Sequence, residues 1–376
     1  MNEYSVIGVM SGTSLDGVDV AFCKFKKEKG KWHYSIEHAE TISYTKYWKD
    51  TLANLENSNA LFFVNIHKQY GHYLGKIIFE FIQKYRLSPD FIASHGHTIF
   101  HQPENKITCQ VGDGAAIASE CGIPVVCDFR SLDVAMGGQG APLVPIGDKF
   151  LFADYDYCLN LGGFANISFE NKGNRIAFDI CPVNIVLNKI AENFGKEYDE
   201  NGALSAKGKI NLILLNELNN IDYYRNIYPK SLGKEWVLQY FYPIINVFNI
   251  PAEDKLCTIC EHIALQISHQ LASASLSNHS INRSVSKLEN QNASANNMKM
   301  LITGGGVYNS FLISRIKENC KVVIEIPEKK IIDFKEALIF AFLGVLRMKN
   351  QINCLSSVTG ASNDNIGGAV YFASHR

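Results

Sequence analysis

The chain has 376 residues, of which 47% are hydrophobic and 19% charged, a composition typical of a folded globular protein and not of a disordered one. Its length predicts two domains, or one fold of two lobes. The 36 basic and 37 acidic residues leave a formal net charge of −1, so no overall field attracts nucleic acid or an anionic membrane. We therefore expect a small-molecule ligand.

The hydrophobic pattern predicts no membrane span. The longest purely apolar run, residues 337–346, is about half of the ~20 residues that a membrane helix needs. The amino terminus carries Glu3 where a signal peptide carries positive charge, so we expect a cytoplasmic protein. The ten cysteines are scattered, mostly within apolar runs, and we expect reduced, buried thiols.

The first half of the chain has the alternation of strands and helices that is typical of an α/β fold. A basic run at 24–31 suits the solvated end of a hairpin. The pattern predicts strands at 4–10, 18–22, 32–38 and 91–94, a helix at 60–85 and a glycine turn at 95–98.

The second half contains another unit of a strand, a small-residue turn and a strand, about 150 residues after the first such unit. A later strand also ends in glycines, where backbone can approach a ligand closely. Residues 277–297 are rich in Ser and Asn and predict an exposed insertion. The pattern predicts strands at 157–161, 167–169 and 300–303, and helices at 251–271, 308–318 and 334–347.

The turn Gly12-Thr13-Ser14-Leu15-Asp16-Gly17 has the residue types of a phosphate site. Glycines let backbone N–H groups converge on phosphate, and the Thr and Ser hydroxyls add donors. It lacks the Gly-Lys-Ser/Thr of a P-loop, and strands flank it where a dinucleotide fingerprint needs a helix. A tight hairpin without a ligand is the alternative. Asp16 and Asp19 are candidates to hold Mg²⁺ through water.

Longer motifs make the sequence similar to a known family. Within the actin and hexokinase superfamily, it resembles anhydro-N-acetylmuramic acid kinase over nearly its whole length. The motifs are 9–19 around the first turn, Ser94-His95-Gly96-His97-Thr98, 110–114, Asp128-Phe129-Arg130, 137–145, 160–167, Phe178-Asp179 and 358–361.

The resemblance implies a two-lobed α/β fold with mixed sheets flanked by helices and an interlobe cleft. We place lobe I at 1–128 plus 357–376 and lobe II at 129–356. It also implies a homodimer.

The family opens the 1,6-anhydro ring of anhydro-N-acetylmuramic acid while phosphorylating O6, with ATP and Mg²⁺, in peptidoglycan recycling. By resemblance, Asp179 is the general base that activates water. An N-cap for a helix starting near Pro182 is the alternative role for Asp179. The residues expected to bind ATP are Gly12, Thr13, Ser14, Leu15, Asp16, Gly17, Val18, Asp19, Gly162, Gly163, Asn166, Gly304, Gly305 and Gly306.

The residues expected to bind the sugar are His97, Arg130, Gln139, Gly140 and Glu336. A guanidinium matches the lactyl carboxylate of a muramic sugar, although an Asp128–Arg130 structural pair is equally compatible with the sequence. The glycine-rich segment 137–142 predicts a loop, which either presents Gln139 to the sugar or merely connects the lobes. Glu336 either contacts the sugar or complements a helix dipole.

Residues 180–183, Ile-Cys-Pro-Val, depart from the family's usual Thr-Gly-Pro-Gly. This stiffer turn is the support for one alternative, a sugar or nucleotide sensor without turnover. A kinase for another amino sugar is a second alternative. His97, where the family usually has Gln, also makes its contact pH-dependent.

Two further alternatives come from single clusters. His95, His97, His101 and Asp113 suggest a transition-metal hydrolase, and Cys257 with Cys260 suggests a redox pair. The cysteines also fit the buried face of the helix after Pro251, and we favour that interpretation.

Overall fold

The computed structural model of the chain describes residues 3–12, 15–279 and 297–373. It separates into two compact units, Met1–Leu151 with Phe334–Arg376, and Phe152–Asp333. The predicted lobe crossings after residues 128 and 356 differ from this division. Residues 129–151 and 334–356 belong to the first unit and not to the second.

Each unit contains one mixed β-sheet. The seven-stranded sheet of the first unit has the order β12-β6-β4-β1-β2-β3, with β5 paired to β4, and the five-stranded sheet of the second has the order β11-β10-β7-β8-β9. The strands are β1 (Glu3–Ser11), β2 (Gly17–Glu28), β3 (Lys31–Ser43), β4 (Phe91–Gln102), β5 (Ile107–Val111), β6 (Val125–Cys127), β7 (Tyr157–Leu161), β8 (Phe164–Asn171), β9 (Asn174–Pro182), β10 (Lys299–Thr303), β11 (Val323–Glu325) and β12 (Ala369–Tyr371).

Helices flank both sheets, and none in the described ranges has the length and apolar composition needed to cross a membrane. They are α1 (Lys46–Asn54), α2 (Ala60–Tyr85), α3 (Gly114–Cys121), α4 (Ser131–Ala135), α5 (Val144–Leu151), α6 (Asn184–Ala191), α7 (Leu212–Asn219), α8 (Lys234–Trp236), α9 (Tyr242–Val247), α10 (Ala252–His279), α11 (Ser310–Asn319), α12 (Lys329–Met348) and α13 (Ser356–Thr359).

The two units repeat one strand topology. In each, three strands form an antiparallel meander, and the first of them pairs in parallel with a later strand, β4 in one unit and β10 in the other. A further parallel strand follows outward, β6 or β11. The predicted repeat is therefore confirmed, as is the α/β class with two mixed sheets flanked by helices.

The predicted helix at 60–85 is confirmed as α2. Its buried residues recur along one face, and the Asn59 side chain caps its first turn. The predicted glycine turn at 95–98 is wrong. β4 continues through it because residues 97–102 pair with β5, and Gly96 takes a φ of 72° within the strand. The predicted helix at 251–271 extends to His279, while residues 280–296 of the predicted insertion lie outside the described residues.

Close helix packing explains why α12 belongs mainly to the first unit. A Cβ on Gly8 of β1 would lie 2.0 Å from the carbonyl oxygen of Ala337, and one on Gly344 would lie 2.8 Å from the Cβ of Ala93 in β4. The absence of two side chains thus lets the helix approach the first sheet directly. Phe334, with φ −118° and ψ 15°, interrupts the helix where the units divide.

Candidate active site

The first group of candidate residues lies at one edge of the first unit's sheet. β1 is parallel to β4, with Ser11 opposite His97, and β4 is parallel to β6. Ligands of open α/β sheets bind at the carboxyl ends of parallel strands. This edge carries the glycine turn that follows Ser11, the imidazole of His97 and, just after β6, Arg130.

The described residues on either side of the first glycine turn lie close together. The backbone N–H of Leu15 lies 3.4 Å from the carbonyl oxygen of Gly12, and Leu15 has a φ of 59°. A Cβ on Gly17 would lie 2.5 Å from a backbone oxygen of β3, so a larger residue there would displace the strand. Thr13 and Ser14 lie outside the described residues.

The two acids predicted to hold metal differ in environment. Asp16 is exposed on the turn, whereas Asp19 is half-buried on β2 and its Oδ1 accepts a 2.6 Å hydrogen bond from Thr41. The neighbouring Val18 is fully buried, so its side chain belongs to the core. No cluster of three or more metal-ligating side chains occurs among the described residues. A metal held here would take most of its ligands from water or bound phosphate.

Arg130 is fixed by neutral partners. Its Nε donates to His95 Nε2 at 3.0 Å, and its Nη1 donates to the carbonyl oxygen of Gly140 at 2.6 Å. Asp128 instead accepts a hydrogen bond from the Ser131 hydroxyl, so the alternative of an Asp128–Arg130 pair is wrong. Because neither bond neutralises the guanidinium, Arg130 keeps its charge available for an anionic ligand.

The loop that carries Gln139 and Gly140 is anchored by Asp133, which the sequence did not single out. Asp133 is fully buried, and its Oδ2 accepts a 2.7 Å hydrogen bond from the backbone N–H of Gly140. Its Oδ1 accepts hydrogen bonds from Cys354, Thr359 and Asn365. One carboxylate thus joins the loop to the C-terminal part of the unit. In the sequence, an acidic residue between two apolar neighbours, Leu132 and Val134, was the feature that could have indicated this buried role.

Gln139 itself is exposed, and its backbone N–H donates to the carbonyl oxygen of Thr359 at 2.8 Å. The predicted loop at 137–142 is confirmed, since no regular element covers it. The anchored backbone leaves the Gln139 side chain directed to solvent, where a ligand can reach it.

Glu336 lies just after the interruption of α12 at Phe334, so it belongs to the first turn of the helical segment that follows. Its side chain reaches solvent. Although part of the side chain is exposed, the surrounding protein desolvates the Glu336 carboxyl and raises its pKa. The nearby Arg130 guanidinium opposes that rise, and the Asp19 carboxylate adds to it. These electrostatic couplings place Glu336, Arg130 and Asp19 in one neighbourhood, and both predicted roles of Glu336 remain compatible with its position.

A buried polar cluster lies beneath the first glycine turn. Ser11, Tyr44, Tyr70 and His97 are all buried, and their polar atoms are joined by hydrogen bonds of 2.5 to 3.0 Å. Only His97 was predicted. The two tyrosines come from the segment after β3 and from α2, where an isolated Tyr in an apolar pattern is normally a core residue.

The second group of candidate residues occupies the equivalent edge of the second unit. The turn Gly162–Gly163 follows β7, and Gly304, Gly305 and Gly306 follow the parallel strand β10. Gly304 has a φ of 85°, and a Cβ there would lie 2.6 Å from the Oδ1 of Asn160. Gly304 therefore packs against the carboxyl end of β7, directly before the Gly162–Gly163 turn.

A row of polar residues crosses this sheet beside the glycine turns. Thr303, Asn160, Asn166 and Asp179 are successive register partners on β10, β7, β8 and β9. Directly opposed residues project to the same face of a sheet. The row brings the predicted Asn166 and Asp179 together and adds Asn160 and Thr303, which the site prediction did not include.

Asp179 lies within β9, and α6 begins only at Asn184 with Val183 as its N-cap. The alternative that Asp179 caps this helix is therefore wrong. Its Oδ2 accepts a 2.9 Å hydrogen bond from the backbone N–H of Leu232, while its Oδ1 has no partner among the described residues. The Tyr223 hydroxyl also donates to its carbonyl oxygen at 2.7 Å.

Burial raises the pKa of Asp179 above the usual aspartate range, and the Leu232 N–H partly opposes the rise. Lys230 does not pair with it: its ammonium lies 4.7 Å from the centroid of the Tyr223 ring. A carboxylate with one oxygen held and the other open, at a raised pKa, suits proton abstraction.

Residues 180–183, which depart from the motif of the family that the sequence resembles, are part of the core. β9 continues to Pro182, so the predicted turn beside Asp179 is a strand end, and Ile180, Cys181 and Val183 are all fully buried. Apolar packing therefore accommodates these larger side chains in the core.

Neither single-cluster alternative gains support. The proposed metal cluster is absent from the described residues, and His95 and Asp113 each have other partners, Arg130 and Lys68. All ten cysteines are free, and Cys257 and Cys260 are both buried on α10, which fits the favoured core interpretation.

Comparison with known proteins identifies the family. Residues 4–373 match the family model described as anhydro-N-acetylmuramic acid kinase. The chain is 33% identical to the anhydro-N-acetylmuramic acid kinase of Francisella tularensis subsp. novicida (strain U112), across 99% of this chain and 100% of the relative. It is 32% identical to that of Clostridioides difficile (strain 630), across 98% of each. The chain is thus a kinase that belongs to the anhydro-N-acetylmuramic acid kinase family.

Solved structures give a weaker likeness. One described as the activator of the 2-hydroxyisocaproyl-CoA dehydratase from Clostridium difficile with bound ADPNP has a TM-score of 0.41 and 13% identity, covering 92% of this chain and 97% of that one. The family assignment therefore rests on the sequence comparisons alone.

Replacing Asp133 tests its role as the anchor of the loop of Gln139 and Gly140. Asp133→Asn puts an amide donor where the carboxylate accepts four hydrogen bonds. We expect the free energy of unfolding to fall by about 2–3 kcal/mol, measured by urea unfolding. The control Asp50→Asn, on an exposed carboxylate paired with Lys46, should change it by less than about 0.5 kcal/mol. Equal stability of the two variants would contradict the anchoring role.

Proposed function

We propose that the protein uses ATP to phosphorylate O6 of anhydro-N-acetylmuramic acid while water opens the 1,6-anhydro ring, giving N-acetylmuramic acid 6-phosphate for peptidoglycan recycling. The single observation that carries the proposal, within this family of kinases, is the Asp179 carboxylate. One of its oxygens is held by Leu232 and the other has no partner among the described residues.

The reaction needs one base. Asp179 takes a proton from the water that attacks the anomeric carbon, the bond from that carbon to O6 breaks, and O6 accepts the γ-phosphoryl group as ADP leaves. A positioned carboxylate of this kind contributes about 10²–10⁴-fold. Alignment of the reactants and neutralisation of phosphate charge supply the rest.

The glycine turns are the proposed ATP site. The turn at 12–17 and the Gly162–Gly163 turn would bind phosphates, with Val18, Asp19 and Asn166 beside them, and Gly304, Gly305 and Gly306 would admit the adenosine. Their support is their position at the carboxyl ends of parallel strands in each unit, where backbone can approach a ligand closely.

The proposed sugar site comprises His97, Arg130, Gln139, Gly140 and Glu336. The Arg130 charge, which no carboxylate neutralises through a hydrogen bond, suits the lactyl carboxylate. Membership of this kinase family favours turnover over a sensor, and the departing residues Ile180, Cys181 and Val183 are buried in the core.

We also propose Mg²⁺ as the metal, held through Asp16 and Asp19, because oxygen ligands beside polyphosphate suit this ion. A homodimer in the cytoplasm is the expected form of the enzyme. Resemblance to the family supports a homodimer, and the use of ATP supports a cytoplasmic location. Sedimentation equilibrium and cell fractionation test these two points.

The central test is turnover of the named sugar. With ATP, Mg²⁺ and anhydro-N-acetylmuramic acid, we expect sugar-dependent ADP release and a product heavier by one phosphoryl group and one water, identified by mass spectrometry. Asp179→Asn should lower kcat by about 10²–10⁴-fold because the base is lost. The control Asp222→Asn, on an exposed carboxylate paired with Arg225, should leave kcat unchanged. ATP binding without sugar turnover by the wild type would refute the proposal.

The pH dependence reports the state of Asp179. Only the carboxylate accepts a proton, so kcat/KM for the sugar should fall as pH falls through the Asp179 pKa. Because burial raises that pKa, we expect the acidic midpoint above the ordinary aspartate value of about 3.9. The measurement is kcat/KM at saturating ATP between pH 4 and 8, with recovery of activity at neutral pH as the control. A flat profile down to pH 4 would exclude Asp179 as the titrating base.

The metal proposal has its own test. Asp19→Asn removes one anionic oxygen, and we expect the Mg²⁺ concentration for half-maximal activity to rise about tenfold or more, as for outer-sphere partners in other metal sites. The Asp50→Asn variant, remote in sequence and exposed, provides the reference titration. Superimposable Mg²⁺ titrations for the two variants would argue against Asp19.

A further inference from the structure

The buried polar cluster beneath the first glycine turn has an unusual arrangement of contacts. Ser11 Oγ lies 2.5 Å from the Tyr44 hydroxyl, 3.0 Å from the Tyr70 hydroxyl and 2.9 Å from His97 Nδ1. The Tyr44 and Tyr70 hydroxyls are themselves 2.5 Å apart. Three hydroxyls thus form a closed triangle, and the imidazole joins it at Ser11.

Counting protons assigns the donor at the imidazole. The four contacts require four protons, whereas Ser11, Tyr44 and Tyr70 carry one hydroxyl proton each. Tyr70 donates to Ser11, Ser11 to Tyr44 and Tyr44 to Tyr70, which uses all three. The fourth proton must come from Nδ1 of His97.

The count holds because each group keeps its neutral form. Burial raises the pKa of Tyr44 and of Tyr70 above the ordinary value, so both phenols stay protonated. Burial also lowers the pKa of His97 to about 4, so the ring carries a single proton at neutral pH. That proton is on Nδ1, which leaves a lone pair on Nε2.

Nε2 has no hydrogen-bond partner among the described residues. The ring lies at the carboxyl end of the pairing between β1 and β4, at the same edge as Arg130. With its lone pair facing the ligand edge of the sheet, Nε2 can only accept a hydrogen bond. It therefore favours a ligand group that donates, because an accepting group would place two lone pairs against each other.

We propose that the hydroxyl triangle of Ser11, Tyr44 and Tyr70 fixes His97 as its Nδ1–H tautomer, so that Nε2 accepts a hydrogen bond from a hydroxyl or acetamido N–H of the bound amino sugar. This inference rests on the proposed function. It makes Tyr44 and Tyr70 positioning residues that act through His97.

The tautomer is directly observable without turnover. Two-bond ¹H–¹⁵N correlation spectra of the full-length protein labelled with ¹⁵N-histidine separate a protonated from an unprotonated ring nitrogen, and His97→Gln assigns the signals. We expect a protonated Nδ1 and an unprotonated Nε2. A protonated Nε2 in the wild type would overturn the proposal.

Removing one hydroxyl should release the ring. In Tyr70→Phe, two contacts remain for the two hydroxyl protons of Ser11 and Tyr44, so Nδ1 no longer has to donate and the Nε2–H form should become populated. Tyr44→Phe also leaves two contacts and two hydroxyl protons, so it tests the same point if Tyr70→Phe fails to fold. The control Tyr73→Phe alters a neighbouring tyrosine that packs on Tyr44 and should leave the spectrum unchanged.

Kinetics link the tautomer to the sugar. We expect KM for the sugar to rise about tenfold in His97→Leu, from loss of one hydrogen bond at a binding site, and less in Tyr70→Phe, with KM for ATP and the Tyr73→Phe variant unaffected. The conservative His97→Gln, which retains an acceptor, should recover most of the loss. An unchanged sugar KM in both His97→Leu and Tyr70→Phe would overturn the proposal.

Two analogues identify the donor on the sugar. If a 4-deoxy sugar abolishes the effect of His97→Leu on KM, the hydroxyl is the donor, and if an N-methylated acetamido group abolishes it, the amide is the donor. Either result supports the proposal, and persistence of the effect with both analogues opposes it. A wild type that turns over no sugar while showing the expected tautomer would refute the proposed function and leave the assignment of the ring intact.

Discussion

Parallel pairing between the first strand of each meander and a strand from much later in the chain determines where the candidate groups lie. β1 pairs with β4 and β7 pairs with β10, so a hairpin turn and the end of a distant strand meet at the same edge of each sheet. Without this pairing the glycine segments would be ordinary hairpin ends. With it, backbone donors and polar side chains gather where α/β sheets bind ligands.

Buried polar groups then hold those side chains in place before any ligand arrives. Asp133 fixes the loop of Gln139 and Gly140, Leu232 holds one oxygen of Asp179, and the hydroxyls beneath the first turn hold His97. Burying such groups is costly unless each is hydrogen-bonded. A network that satisfies them gives a site whose geometry is set in advance, which favours reaction of correctly placed substrates.

Local patterns succeeded where the signal itself is local. The helix α2 follows from its apolar periodicity and the repeated hairpins from their alternating strands and glycines. The predicted turn at Gly96 was wrong, because a glycine within a strand cannot be distinguished in sequence from a glycine in a turn. Local patterns also misplaced residues 334–356, since an apolar helix does not reveal which of two sheets it will cover.

The sequence by itself determined the repeated α/β architecture, the glycine turns, the family of kinases and the carboxylate proposed as base. Residue type and spacing carry these features, because glycine turns and strand alternation are properties of neighbouring residues. Only the tertiary structure decided that Asp179 has one open oxygen, that Asp133 anchors the loop of Gln139 and Gly140, and that Ser11 links Tyr44 and Tyr70 to His97. Hydrogen bonds act over about 3 Å in space. Partners such as Leu232 for Asp179, or Thr359 for Asp133, are too far apart in sequence for a local pattern to record them.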